Sequence, residues 1–374
     1  MSNATRSLVL GSGIVGRAAA WDLDRRNHDV TIADADATAA QRVGEELGIR
    51  WQQINVTNAA AVDLAMSSAD TVISAVPYLF GETLATSAIG NGCHYFDFGG
   101  NPTIVKQQLR LDGDARTAGV AIVPDCGLAP GLANVMAAGL ISKAPADRIE
   151  SVQIRVGVLP QEPKGTLRYQ LAFYAGGLVN EYAEPCEIIH DGEVATVDPL
   201  TRFEELDWAD TGLHLEAFST AGGTSTMCQD YAGRIDELEY KTLRYPGHGE
   251  IFAAMRDLGL FEENPQTFAG VEIAPRTVLL DLLTEHLPSG APDVTLVGVS
   301  VTAEGYAAEV HIEDIDDGRF SSLARTTAFP ATALCDLVVR GSVDFRGAAA
   351  MHAVAPPDLL LDELNQVGIE AQPR

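Results

Sequence analysis

Gly11-Ser12-Gly13-Ile14-Val15-Gly16 follows the apolar run Leu8-Val9-Leu10 and leads into a helix-like stretch from Val15 to Leu23. Strand, G-x-G-x-x-G, then helix is the order of a dinucleotide-binding turn. Gly11 permits the tight turn, and Gly13 lets the backbone approach a pyrophosphate. Gly16 lets the helix pack closely, while the first helical N–H groups, at Ile14 and Val15, face the phosphates. A second apolar strand, Val30-Thr31-Ile32-Ala33, ends at Asp34, eighteen residues past Gly16. A carboxylate there accepts hydrogen bonds from both adenosine ribose hydroxyls and repels a 2′-phosphate, so NAD is expected rather than NADP. Without a ligand, the same pattern is an ordinary βαβ turn.

Pro124-Asp125-Cys126-Gly127-Leu128-Ala129-Pro130-Gly131 ends another apolar run. Asp125 has two readings: a general base, its pKa raised by partial burial, or a cap on a helix or turn. Cys126 is either polar lining of a substrate pocket or inert packing. Tyr240-Lys241-Thr242-Leu243-Arg244-Tyr245-Pro246-Gly247-His248 gathers cations, phenols and an imidazole at the end of a predicted strand. Arg244 suits a carboxylate clamp, because its planar fork binds a carboxylate bidentately, and the alternative is a surface ion pair. His248 is a proton shuttle or a turn residue. Gly222-Gly223-Thr224-Ser225-Thr226 offers bare N–H groups and hydroxyls, with Thr224 and Ser225 as substrate contacts or as plain loop. Lys164, Arg168 and Tyr169 follow a Pro-rich loop and are candidates to cover a cleft, although Lys164 reads better as a solvated residue.

The elements that position these residues alternate strand and helix as far as about residue 130. Arg50–Ile54 leads to the loop at Val56 on the adenine side. Thr71–Val76, with Ala75 and Val76 at its end and Pro77-Tyr78 beyond, is a near-continuous apolar run of the kind a parallel strand covered on both faces requires. Tyr95–Phe98 and Val120–Val123 follow. The pattern predicts a doubly wound parallel sheet with Tyr78, Asp97 and Asp125 at the carboxyl ends of its strands, facing one crevice. Beyond about 130, strand-like stretches dominate (151–157, 186–190, 213–220, 237–243, 294–302, 306–312), with helices at 250–258 and 276–287. This predicts an inserted α+β domain with a mixed, largely antiparallel sheet, and helices return at 324–339 and 357–366.

The chain has 374 residues, enough for two domains, with 52 acidic and 25 basic side chains and a formal net charge of −27. Such a surface repels nucleic acid and anionic lipid, so neither is an expected partner. The acids are scattered and only four residues are lysine, the pattern of a salt-adapted proteome, so a halophilic source is expected. No apolar run reaches membrane-spanning length and no basic leader precedes the first strand, which predicts a cytoplasmic protein. Five dispersed cysteines without C-x-x-C, and eight histidines without H-x-x-x-H, signal neither a disulfide framework nor a metal site.

Taken together, Gly11–Gly16, Ser74–Tyr78, Tyr95–Gly100, Asp125–Gly131, Gly222–Thr226 and Thr242–His248 make the chain resemble the saccharopine dehydrogenase-like family, most closely its L-lysine 6-dehydrogenase branch. The resemblance implies a Rossmann domain over 1–130 and 322–374, and a substrate-binding and dimerisation domain over 131–321. It implies a homodimer or higher oligomer acting on a small amino acid, with hydride passing between the amine carbon and NAD. For lysine, Arg244 holds the α-carboxylate, Asp125 takes the ammonium proton, Tyr78 and His248 complete the catalytic set, and the product semialdehyde cyclises to Δ1-piperideine-6-carboxylate. Saccharopine reductases carry an acidic residue before the Pro-Gly of the crossover motif, where this chain has Ala129. The alternatives are reductive condensation of the saccharopine or carboxynorspermidine type, and a non-catalytic NAD-binding sensor.

Overall fold

A computed structural model describes residues 4–208 and 211–374. The chain divides into two compact units, Met1–Ser142 with Ala324–Ala371, and Lys143–Leu323 with Gln372–Arg374. The first begins β1 (Arg6–Leu10), α1 (Ile14–Arg25), β2 (Asp29–Asp34), α2 (Ala37–Leu47), β3 (Arg50–Gln53), α3 (Ala59–Met66), β4 (Thr71–Ser74) and α4 (Gly81–Asn91). It continues β5 (His94–Asp97), α5 (Pro102–Leu109), α6 (Asp112–Ala118), β6 (Ala121–Val123) and α7 (Leu132–Lys143). The second unit carries β7 (Ile149–Pro160), α8 (Ala175–Ala183), β8 (Cys186–His190), β9 (Glu193–Val197), β10 (Glu204–Trp208), β11 (Leu213–Ser219), α9 (Met227–Tyr231) and β12 (Ile235–Arg244). Then come α10 (His248–Asp257), β13 (Gln266–Phe268), β14 (Val271–Ile273), α11 (Pro275–His286), β15 (Asp293–Ala303) and β16 (Tyr306–Ile315). The chain closes with α12 (Ser322–Val339), β17 (Gly347–Ala348), α13 (Met351–Val354), α14 (Pro357–Asn365) and β18 (Ala371–Pro373).

The sheet of the first unit is parallel, in the order β17-β6-β5-β4-β1-β2-β3. Chain order reverses between β1 and β4, which opens a crevice beyond their carboxyl ends. Every residue of β4 is buried, as its apolar run requires. The returning helices are tied in by charge. The fully buried Asp22 on α1 pairs with Arg25 (2.7 Å) and Arg26 (2.8 Å) and accepts from Thr332 Oγ1 on α12 (2.6 Å). A buried carboxylate is tolerated because its oxygens are all engaged. Residues 132–142 of α7, expected in the second region, belong to this unit, so the boundary lies after Ser142 rather than after 130.

The sheet of the second unit is mixed. It runs β10-β11-β12-β7-β15-β16-β18, with β8 and β9 branching from β12. β12 and β7 are parallel, whereas β7 with β15 and β15 with β16 are antiparallel. Tyr182 of α8, Phe252 of α10 and Leu279 and Leu283 of α11 pack with Phe218 in one apolar cluster. Side chains alternate along β12, so Tyr240, Thr242 and Arg244 share one face. Among the described residues, no helix is long and apolar enough to cross a membrane.

Candidate functional site

In the first unit, the glycine turn has the geometry its sequence demands. Gly11 has φ +98°, and a Cβ there would come within 2.5 Å of the Ala75 carbonyl oxygen. A Cβ on Gly16 would overlap the Gly11 carbonyl oxygen, so only glycine lets α1 seat against the turn. Gly13 is the N-cap of α1 and supplies no side-chain cap, and the space where its Cβ would stand is open. The amino end of α1 is therefore bare, as an anion site requires. Gly11, Gly13, Asp34, Val56, Ala75, Val76 and Pro77 line a hollow of about 260 Å³, together with Ile54, Asn55 and Phe80. Ile14 and Val15 lie at the start of α1, outside that lining.

Asp34 is half-buried at the end of β2. Its Oδ2 accepts from Ser12 N and Ser12 Oγ (both 2.8 Å), and its Oδ1 accepts from Asp36 N (3.0 Å). Burial works upward on this carboxyl, but the N–H groups of Asp36 and Ser12 and the Ser12 hydroxyl outweigh it and hold the pKa below its ordinary value. The carboxylate stays charged against the glycine turn. The hollow's described lining contains no cation. A bare helix terminus, a glycine cradle that a Cβ would fill and an anchored carboxylate fit the pyrophosphate and ribose of a dinucleotide. Ser12 is the contributor that motif reading passed over, although its hydroxyl lies between two of the motif glycines.

The loops after β4, β5 and β6 bring three further candidates together. Tyr78 begins a single 3₁₀ turn and sets its ring on Gly100, while a Cβ at Gly99 would overlap Asp125 Oδ1. Asp125 is buried with φ +58°, a left-handed backbone. At the start of α7, Asn134 Oδ1 accepts from Gly131 N (2.7 Å). Asp97 departs from expectation. Its carboxylate turns into the protein, accepting from Gln108 Nε2 (2.6 Å) and Gly99 N (2.9 Å), so it shapes the loop rather than the hollow. Burial raises its pKa against those donors. Cys126 also departs from the substrate-lining role. It is fully buried, its thiol donates to Val123 O (3.1 Å), and burial with nearby Asp97 and Asp125 pushes its pKa far up.

In the second unit, Arg244 ends β12 with only 5% of its side chain exposed. Its Nε donates to Tyr182 Oη and its Nη1 to Leu243 O, both at 3.0 Å. Its guanidinium carbon lies 5.1 Å from the Tyr169 ring centre. Nη2 has Glu181 Oε2 at 4.0 Å, within ion-pair reach but beyond a hydrogen bond. Burial works against the Arg244 charge, yet Tyr182, Tyr169 and Glu181 raise its pKa overall. The surface ion-pair reading of Arg244 is thereby replaced by a buried cation.

His248 opens α10, whose first turn is fixed by Glu216 accepting from Gly247 N (2.8 Å) and Gly249 N (2.7 Å). His248 Nδ1 lies 3.2 Å from Leu167 O and Nε2 lies 3.0 Å from Tyr182 Oη. A carbonyl only accepts, so Nδ1 carries the proton and Tyr182 donates to Nε2. Burial, with Arg244 nearby, lowers the His248 pKa to about 3. His248, read from sequence as a proton shuttle or a turn residue, is thus a neutral imidazole that orients Tyr182, and through it Arg244. Thr224 is buried, with Oγ1 3.5 Å from Glu187 O, and Ser225 is half-buried with φ +51°. Their loop reaches the cluster at Gly223, where a Cβ would strike the Tyr240 ring. Lys164 is exposed beside Glu162 (3.7 Å), and Lys241 is buried with Nζ on Glu204 (2.8 Å). Glu181 and Tyr182 escaped sequence reading, since nothing local couples α8 to β12. No metal site was expected, yet exposed His190 and Asp191, with half-buried Glu237, bring one donor each within 4.8 Å of one another.

Residues 7–123 match the model of the saccharopine dehydrogenase NADP binding domain, and residues 127–369 match that of the saccharopine dehydrogenase C-terminal domain. The chain is 25% identical over 275 residues to a saccharopine dehydrogenase [NADP(+), L-glutamate-forming] of Pyricularia oryzae, covering 71% of this chain and 60% of the relative. It is 26% identical over 298 residues to the mitochondrial alpha-aminoadipic semialdehyde synthase of Rattus norvegicus, covering 76% of this chain and 32% of that one. The chain thus spans less than two thirds of the length of these curated relatives. An apo saccharopine dehydrogenase (L-Glu forming) structure from Saccharomyces cerevisiae superposes with a TM-score of 0.81 at 20% identity, covering 99% of both chains. That likeness establishes the fold.

Proposed function

We propose that this chain, which belongs to the saccharopine dehydrogenase family, is an NAD-dependent oxidoreductase acting at the C–N bond of a small amino acid. Its first-choice reaction is removal of the ε-amine of L-lysine as ammonia. The observation that carries this reading is Arg244, a buried guanidinium held by Tyr182 and Leu243, with its Nη2 edge free of close hydrogen bonds to the neighbouring Glu181. Such a fork suits a substrate carboxylate. The bound nicotinamide supplies the hydride acceptor. The chain's residues do the rest. In the second unit Arg244 fixes the carboxylate, and His248 and Tyr182 fix Arg244; the candidate base for the substrate ammonium is Asp125, in the first unit. Water then hydrolyses the resulting imine to the semialdehyde and ammonia. Positioning of this kind supplies much of the rate enhancement in hydride enzymes.

The choice of NAD rests on Asp34, against the NADP in the family model's description. The scattered acid supports a high-salt setting, and a melting temperature unchanged between low and molar salt would remove that part of the proposal. Oxidation of saccharopine is the second reading, favoured by the names of the relatives. Product analysis separates the two: ammonia release from lysine supports the first, glutamate release from saccharopine the second. An Asp125→Asn variant with full kcat would remove Asp125 from the proton step.

A further inference from the structure

We propose that Glu181 and Arg244 together read the charged head of an α-amino acid, Arg244 taking its carboxylate and Glu181 its ammonium. The inference rests on the dehydrogenase reading above and assigns a residue that reading leaves out. Of the guanidinium's donors, Nε is committed to Tyr182 and one Nη1 hydrogen to Leu243 O. The Nη2 edge faces Glu181, whose Oε2 stands 4.0 Å away and whose side chain keeps 33% of its surface accessible. The two charges are thus held near each other without closing a hydrogen bond, and the carboxylate lies on the more exposed side. Glu181 is fixed from its own main chain, its carbonyl oxygen accepting from Ala221 N at 2.9 Å, and from Tyr182, its neighbour on α8.

Charge counting selects the ligand. With Glu181 ionised the pair is neutral overall, and so is the zwitterionic head of an amino acid. Inserted, that head sets carboxylate on guanidinium and ammonium on carboxylate. A carboxylic acid without the amine would place two anions on one guanidinium, and a diamine would place two cations on one carboxylate. Either arrangement is costly beside the buried Arg244. Tyr169, Tyr182 and Tyr240 beside the pair are phenols that burial keeps neutral, and His248, near Arg244, is kept neutral in the same way. Burial also pushes the Glu181 carboxyl up, to about 7, against the Arg244 charge. A ligand ammonium would pull it back down.

The test is calorimetric titration of the NAD-loaded full chain with L-lysine, 6-aminohexanoate, which lacks the α-ammonium, and 1,5-diaminopentane, which lacks the carboxylate. Saccharopine and L-ornithine are run alongside. The wild-type chain is expected to bind an α-amino acid at least about tenfold more tightly than either truncated analogue. Glu181→Gln is expected to lower amino-acid affinity by about tenfold or more and to leave 6-aminohexanoate unchanged or tighter, while Glu181→Asp stays within a few-fold of wild type. Thermal melts show that each variant is folded. Equal weakening of lysine and 6-aminohexanoate, no discrimination by the wild type, or no binding of any amino acid overturns the proposal. NADH formation in the same samples separates the two claims. Turnover without Glu181-dependent discrimination sinks this inference alone, whereas Glu181-dependent binding without turnover sinks the dehydrogenase reading alone.

Discussion

Replacing Asp34 by asparagine changes one charge while keeping an oxygen for the hydrogen bonds from Ser12, so it isolates the electrostatic part of cofactor choice. Two unit charges 4 Å apart repel by about 1 kcal/mol in water and about 4 kcal/mol at an effective dielectric of 20. Asp34 is half-buried, which places it between these limits at roughly 2 kcal/mol per unit charge. A 2′-phosphate carries close to two charges, so its penalty is roughly 3–4 kcal/mol, or about 10²–10³-fold in Kd. The wild-type chain should therefore bind NADH tighter than NADPH by that factor. In Asp34→Asn, NADH should weaken by about tenfold, the worth of a charge-assisted hydrogen bond, while NADPH strengthens, bringing the two within about tenfold. Fluorescence titration of both reduced dinucleotides at one ionic strength reads the ratio. A wild-type chain that binds NADPH as tightly as NADH refutes the reasoning, as does a ratio that Asp34→Asn leaves unmoved.

Gly16→Ala should abolish dinucleotide binding at micromolar concentrations and cost roughly 1–3 kcal/mol of stability, because the new methyl meets the Gly11 carbonyl; a melt and a titration check both. Arg244→Lys should raise the amino-acid KM by about tenfold or more with kcat much less affected, since an ammonium cannot fork; an unaltered KM rules out the clamp. His248 makes stability acid-sensitive. Unfolded, its imidazole takes a proton near its ordinary value of 6.5; folded, only near about 3. Between those values the unfolded chain binds one more proton, so stability should fall as pH drops, by about 1.4 kcal/mol per pH unit from this group. Denaturant melts across that window should be flatter in His248→Gln, and identical slopes would contradict the assignment.

Much of the first unit was legible because its signals are local. The turn at Gly11–Gly16 lies within one strand–helix junction, and Asp34 ends the next strand. The direction of Asp97 was not legible. A residue at a strand's end points outward or inward according to its donors, and those came from Gln108 on α5 and from Gly99. β17 spans two residues, too few to show a period, and β10, Glu204-Glu205-Leu206-Asp207-Trp208, reads as charged loop. In the second unit, Arg244 stood out because cations are scarce, but its partners did not. Tyr182 lies 62 residues away on α8 and Glu181 beside it, and only the packing of α8 and α10 over β12 brings them to Arg244. His248 was found by type with its role left open between shuttle and turn residue, since its neutrality comes from burial that no local pattern records.

The most direct measurement is NADH formation by the purified chain in molar salt, with NAD offered against L-lysine, L-ornithine, saccharopine and short diamines. NADH with release of ammonia from lysine is the expected result. Firm NAD binding with no turnover of any of these, in either direction, would leave a dinucleotide-binding sensor and contradict the assignment of an amino-acid dehydrogenase.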